Sequence, residues 1–118
     1  MKKVLIIEDV IYVISDYEEE LEGKCELLFA RRKDDALSLF DENLDNLDAI
    51  VIDGSLSHGG NLDTLDIVEH IRKSGYTGDL IANSSTYNDK LVEAGCNLRC
   101  MNDAKKFIPK QLISLLGL

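Results

Sequence analysis

Short apolar runs alternating with stretches of helical periodicity constrain the fold of this 118-residue chain more than any other feature. Val4-Leu5-Ile6-Ile7 runs into Glu8-Asp9, and Ala49-Ile50-Val51-Ile52 runs into Asp53. A brief β-branched run bounded by acidic or turn-forming residues reads as a strand buried on both faces of a parallel sheet. Five β–α units follow from this pattern. Their strands fall at about 3–8, 24–29, 48–53, 79–83 and 98–101, and their helices at about 10–22, 33–43, 63–74, 86–94 and 104–117. Strict alternation predicts an α/β protein of three layers, a doubly wound parallel sheet with helices on both faces. Right-handed crossovers among five strands favour the order 2-1-3-4-5.

The helices carry their apolar faces at spacings of three and four. In the first these are Ile11, Ile14, Tyr17 and Leu21, with Glu18, Glu19, Glu20 and Glu22 turned mostly to water. Ala36, Leu37, Leu39 and Phe40 serve the second helix, and Leu62, Leu65, Ile67, Val68 and Ile71 the third. Phe107, Ile108, Leu112, Leu115 and Leu116 serve the last. Gly23, Gly75 and Gly95 stand where helices should stop, and Pro109 suits a first helical turn, where no N–H is missed.

In the 2-1-3-4-5 order the first and third strands are neighbours, and ligands of open α/β sheets bind just beyond the carboxyl ends of the strands. Glu8, Asp9 and Asp53 then converge on one small volume. Three carboxylates repel one another unless a hard cation lies among them, and oxygen-only ligation completed by water suits Mg²⁺. Asp9 also suits the N-cap of the first helix. The loop 54–62, Gly-Ser-Leu-Ser-His-Gly-Gly-Asn-Leu, follows Asp53 directly and overhangs this volume, with Gly59-Gly60 lending it freedom. Neither a Walker pattern nor G-x-G-x-x-G follows the first strand.

Composition excludes several classes. A net charge of −9 opposes binding to a phosphate backbone, so no nucleic-acid partner is expected. No segment approaches the roughly 20 apolar residues of a membrane span. Four apolar residues after Lys2-Lys3 do not make a signal peptide. Three cysteines, Cys25, Cys96 and Cys100, form no disulfide framework, so a reduced, cytoplasmic chain is expected. Cys96 and Cys100 read as buried or free thiols rather than a metal pair. The length fits a single domain, 1–118, with no output domain. His58 and His70 read as solvated surface, and the run Arg31-Arg32-Lys33 as a solvated loop or a partner contact.

These residues, taken in order, resemble the receiver domain of two-component response regulators, a flavodoxin-like fold, nearly from end to end. The first strand with Glu8-Asp9 and Asp48-Ala49-Ile50-Val51-Ile52-Asp53 carry the resemblance. So do Asp63-Thr64-Leu65-Asp66-Ile67-Val68-Glu69-His70-Ile71-Arg72, Leu80-Ile81-Ala82-Asn83-Ser84-Ser85 and Val92-Glu93-Ala94-Gly95. The resemblance implies that Asp53 accepts a phosphoryl group from a histidine kinase or phosphotransfer protein. It implies that Asp9 binds Mg²⁺ directly and Glu8 mainly through water, and that the backbone carbonyl of Ser55 is a further ligand. Ser84 would hydrogen-bond the phosphoryl oxygen. Such a protein is not an enzyme beyond assisting its own phosphorylation and hydrolysis, and it signals to a downstream protein through contacts.

The chain departs from the family pattern at named positions. Ser57 replaces the usual proline, Arg99 stands at the usual switch aromatic, and the fourth helix is about one turn short. The family lysine falls on Asn102 when counted from Gly95. It falls on Lys105 when Lys105-Lys106-Phe107-Ile108-Pro109 is matched to Lys-Pro-Phe-x-Pro. These departures support an alternative, a degenerate receiver acting as a phosphorylation-independent interaction module. A flavin-binding protein would need a phosphate loop where Glu8-Asp9 stands, and a haloacid-dehalogenase-like phosphohydrolase would place its nucleophile on the first strand.

Overall fold

The structure, a computed structural model, describes residues 1–57, 60–101 and 108–118. Five parallel strands, β1 (Lys3–Ile7), β2 (Glu26–Ala30), β3 (Ala49–Ile52), β4 (Asp79–Ala82) and β5 (Leu98–Arg99), form one sheet in the order β2-β1-β3-β4-β5. Helices α1 (Ile11–Leu21), α2 (Lys33–Asn43), α3 (Leu65–Lys73), α4 (Asn88–Ala94) and α5 (Ile108–Leu116) connect and cover them. The sheet order and the five-unit alternation are those the apolar pattern predicts.

Strand alternation divides the core in two. Leu5, Ile7, Ile50, Ile52, Leu80 and Ala82 face α2, α3 and α4, where Phe40, Ile67, Val68, Ile71 and Leu91 meet them. Val4, Ile6, Ala49, Val51 and Ile81 face α1 and α5, against Val13, Tyr17, Leu21, Ile108 and Leu112. Each large aliphatic side chain so buried contributes about 1.5–3 kcal/mol. Burial on both faces explains why β1 and β3 are continuous apolar runs rather than alternating ones. Cys96 belongs to the first cluster and Cys100 to the second, so the sheet separates them; all three cysteines are buried and none forms a disulfide among the described residues. Burial lifts the Cys96 thiol to about 12 against the opposing pull of the Arg72 guanidinium.

Several expectations need correction. Ile11 is 62% exposed, and Val13 joins Ile14, Tyr17 and Leu21 in the buried stripe of α1. The reason is angular: Ile11 and Tyr12, in the first turn, fall on the side away from the sheet. Leu115 is exposed on α5, where Ile113 packs instead. Asp9 does not cap α1; Val10 holds the N-cap position without a side-chain cap. β2 begins two residues later than expected, and β5 is paired only over Leu98–Arg99, with Met101 exposed. α4 spans seven residues, in keeping with the short fourth helix expected. Phe107, His58 and both positions for the lysine, Asn102 and Lys105, lie outside the described residues.

Far from the acidic end, Arg72 ties helix, turn and strand together. Its guanidinium donates to the carbonyls of Gly95 (2.8 Å), Tyr76 (3.0 Å) and Gly78 (3.0 Å). Gly95 ends α4 at φ 145, a conformation open to glycine, and a Cβ there would lie 2.8 Å from Cγ of Arg72.

Candidate functional site

Each strand ladder continues one residue past its strand. The N–H of Glu8 donates to Ala30 O (3.0 Å), that of Asp53 to Ile7 O (3.0 Å), that of Asn83 to Ile52 O (2.9 Å) and that of Cys100 to Ala82 O (2.8 Å). Glu8, Asp53, Asn83 and Cys100 therefore form a row across the carboxyl edge of the sheet. By strand alternation they share the face of Ile6, Val51 and Ile81, which is the α1/α5 face.

Glu8, Asp9 and Asp53 are all buried, and each offers a carboxylate oxygen within 4.8 Å of the others. Backbone contacts fix all three. Oε2 of Glu8 accepts the N–H groups of Asp9 (3.1 Å) and Val10 (3.3 Å), the two residues that lead into α1. Oδ1 of Asp53 accepts the N–H of Gly54 (2.7 Å), and the hydroxyl of Thr64 donates to the carbonyl of Asp53 (2.7 Å). Arg31 donates from Nη2 to the carbonyl of Asp9 (3.2 Å), so the basic run after β2 is not simply solvated. Three buried carboxylate oxygens form a hard, anionic donor set. That set fits Mg²⁺ or Mn²⁺ and does not fit a soft metal.

Ser84 follows Asn83 and is buried. Its Oγ accepts the N–H groups of Thr86 (3.2 Å) and Tyr87 (3.0 Å), while its own N–H donates to Oδ1 of Asn88 (2.8 Å). Asn88 in turn donates to Sγ of Cys100 (3.2 Å). The turn after β4 is thus a polar knot centred on one hydroxyl. Ser55 sits two residues beyond Asp53, partly buried, with its Oγ donating to Ser57 O (2.9 Å). Arg99 pairs with Asp89 across 2.6 Å at the start of α4. His70 is partly exposed, with Nε2 2.8 Å from Oδ1 of Asp41.

The sequence alone assigns no role in the site to Thr64, Tyr17, Asn83 or Asn88. Nδ2 of Asn83 donates to the Tyr17 hydroxyl (2.8 Å), linking the end of β4 to α1. Burial, and then the negative charge of Glu8, hold the Tyr17 phenol well above its ordinary pKa, with Cys100 and Asp53 adding to the shift and Asn83 opposing it. The signal for Asn83 was a polar residue closing the apolar run Leu80-Ile81-Ala82. Thr64 precedes an amphipathic helix and so looks like an N-cap, yet its hydroxyl makes no cap bond and serves Asp53 instead.

No family model matches the sequence, and no curated protein matches it. Solved structures do. The chain is similar to the receiver domain of the Francisella response regulator 1452, at 24% identity and a TM-score of 0.77, over 99% of this chain and 94% of that one. It is similar to the Mn²⁺-bound form of response regulator Rcp1, at 16% identity and a TM-score of 0.74, over 98% of this chain and 94% of that one. It is also similar to the phosphorylated cyanobacterial phytochrome response regulator RcpA, at 17% identity and a TM-score of 0.75, over 98% and 91% of the two chains. The fold is that of response-regulator receiver domains.

Proposed function

We propose that this chain is a phosphoryl-accepting receiver domain in which Asp53 is the acceptor and Glu8, Asp9, Asp53 and the Ser55 carbonyl hold Mg²⁺. The observation that carries the reading is the convergence of three buried carboxylates, oxygens within 4.8 Å, at the carboxyl ends of adjacent parallel strands. One neighbour of the same fold is Mn²⁺-bound and another is phosphorylated, which supports both halves of the reading.

The residues divide the work. The carboxylate of Asp53, oriented by the Gly54 N–H and backed by Thr64, attacks phosphorus. Ser84 keeps its hydroxyl proton while its oxygen accepts two amides, so it can donate to a phosphoryl oxygen. Mg²⁺, when bound, neutralises charge on the transferring oxygens. Lys105, or Asn102 by the other count, is assigned the remaining contact to the phosphoryl group by the resemblance. The donor is a histidine kinase or phosphotransfer protein, and the reader is a downstream protein; no nucleic acid is involved. The chain acts on itself rather than turning over a separate substrate. Among the described residues no helix is long and apolar enough to cross a membrane, and a cytoplasmic setting accords with buried cysteines that form no disulfide among the described residues.

A second reading, a phosphorylation-independent interaction module, is favoured by the Arg99–Asp89 pair, which occupies the place of the switch aromatic. Beryllofluoride with Mg²⁺ decides between them. The expected result is stoichiometric binding that shifts the amides around Asp53 and Ser84 and is lost in Asp53→Ala. Acetyl phosphate should likewise add one phosphoryl group to the intact chain and none to Asp53→Ala. Neither binding nor adduct would leave the interaction module standing.

A further inference from the structure

Beside the acidic cluster lies a cleft of about 490 Å³ lined by Asp9, Arg31, Arg32, Asp35 and Leu56. Its walls come from three places that the sheet order brings together: the end of β1, the start of α2 and the loop after Asp53. Leu56 is anchored there by its N–H donating to Oδ1 of Asp63 (2.8 Å). Arg31 follows β2, whose last residue accepts the Glu8 N–H, so Arg31 stands next to Glu8 in the row of strand ends. Its guanidinium makes one hydrogen bond, to the Asp9 carbonyl, and no ion pair among the described residues. Arg32 differs, because Asp34 and Asp35 already hold it at 3.5 and 3.4 Å.

We propose that this cleft is a leaving-group subsite, in which Arg31 binds the carboxylate released by an acyl-phosphate donor. The inference rests on the reading of Asp53 as phosphoryl acceptor and adds a substrate class to it. The step balances as written. An Asp53 carboxylate oxygen forms a bond to phosphorus, the bond from phosphorus to the acyl oxygen breaks, and the electron pair leaves with the carboxylate. In a loose transition state, negative charge accumulates on that leaving oxygen before the new bond is complete. A guanidinium presents several donors in a fork that matches a carboxylate, and it favours the transition state more than the ground state. The chain carries a net charge of −9, and the cluster is itself anionic. Arg31 therefore also eases the approach of an anionic donor. Leu56 supplies an apolar wall for a short acyl group.

Two donors test the subsite, because phosphoramidate expels neutral ammonia and acetyl phosphate expels a carboxylate. At saturating Mg²⁺, Arg31→Gln should slow phosphorylation by acetyl phosphate about fivefold or more, the scale of one charge-assisted hydrogen bond partly exposed to water. Release of the Asp9 carbonyl affects both donors and beryllofluoride alike, so the slowing with acetyl phosphate should exceed the slowing with phosphoramidate and the loss of beryllofluoride affinity by about threefold or more. Arg31→Lys, which keeps the charge and loses the fork, should recover part of the acetyl phosphate rate. Equal slowing with both donors, or no slowing with either, would overturn the subsite while intact beryllofluoride binding leaves the acceptor assignment in place. A wild-type chain that takes neither donor nor beryllofluoride would overturn both.

Discussion

The hydroxyl of Tyr87 donates a 2.7 Å hydrogen bond to the carbonyl of Gly60, clasping the turn after β4 to the loop that follows Asp53. The same residue gives its N–H to Oγ of Ser84, and its ring lies over Gly54. One side chain thus touches both segments that flank the acceptor. The glycine pair in the 54–62 loop suggested freedom, but Gly60 is held by Tyr87, and Asp63 closes the loop by donating its N–H to Gly54 O (3.0 Å).

Gly54→Ala should destabilise the protein by about 1–3 kcal/mol, because an added Cβ would lie 2.9 Å from Cδ2 of Tyr87 and 3.1 Å from Oγ of Ser84. Urea unfolding measures the loss. Tyr87→Ala should cost less in the Gly54→Ala background than alone, since the clash and the clasp involve the same ring. Simple additivity in that double-mutant cycle would show that the two residues do not meet.

Beryllofluoride should perturb amides in 54–57 and 83–90 far more than the amide of Arg99, because the Ser84 hydroxyl and Tyr87 connect those segments while Arg99 is held by Asp89. Ser84→Ala removes the acceptor of two amides. It should mute the change at 85–90 and speed hydrogen exchange at Thr86 and Tyr87, while Mg²⁺ titration at Asp9 proceeds as before. Shifts centred on Arg99 would contradict this route.

Asp53→Asn should weaken Mg²⁺ binding and raise stability in Mg²⁺-free buffer by about 1 kcal/mol. It removes one of three mutually repelling charges within 4.8 Å and keeps an oxygen for the Gly54 N–H. Thermal melts with and without Mg²⁺ should cross over: the variant higher without the ion, the wild type higher with it. Unchanged Mg²⁺ affinity would remove Asp53 from the metal site.

Alkaline pH should unfold the protein through its buried neutral groups. Burial lifts Cys96 from 9.0 and Tyr76 from 10.0 to about 12, and lifts Tyr17 well above 10.0. The folded state then keeps protons that the unfolded chain releases. Stability is fully present below pH 9 and falls as pH rises from there towards 12. Urea midpoints at pH 8 and 10.5 should show the decline, with Cys96 accounting for roughly 1–2 kcal/mol of it. Cys96→Ala should flatten the slope in proportion. An equal slope in that variant would assign the loss elsewhere.

The apolar runs and their spacing determined the sheet, its order and the meeting of Glu8, Asp9 and Asp53. A strand buried on both faces must be apolar throughout, and a carboxylate placed just after such a run lies at its carboxyl end. Periodicity could not determine which flank of α1 or α5 meets the sheet. Ile11 and Leu115 satisfy the helical spacing and still point to water, because the crossing of helix and sheet decides the buried arc. Nor could local sequence show that Thr64 serves Asp53, that Asn83 reaches Tyr17 or that Tyr87 clasps Gly60. Those partners are 11, 66 and 27 residues apart, and only the packing of separate β–α units brings them within hydrogen-bond reach. The placement of Arg31 beside Asp9 has the same origin: β2 follows α1 in the chain, yet the sheet seats it alongside β1, and a run that reads as surface becomes a wall of the site.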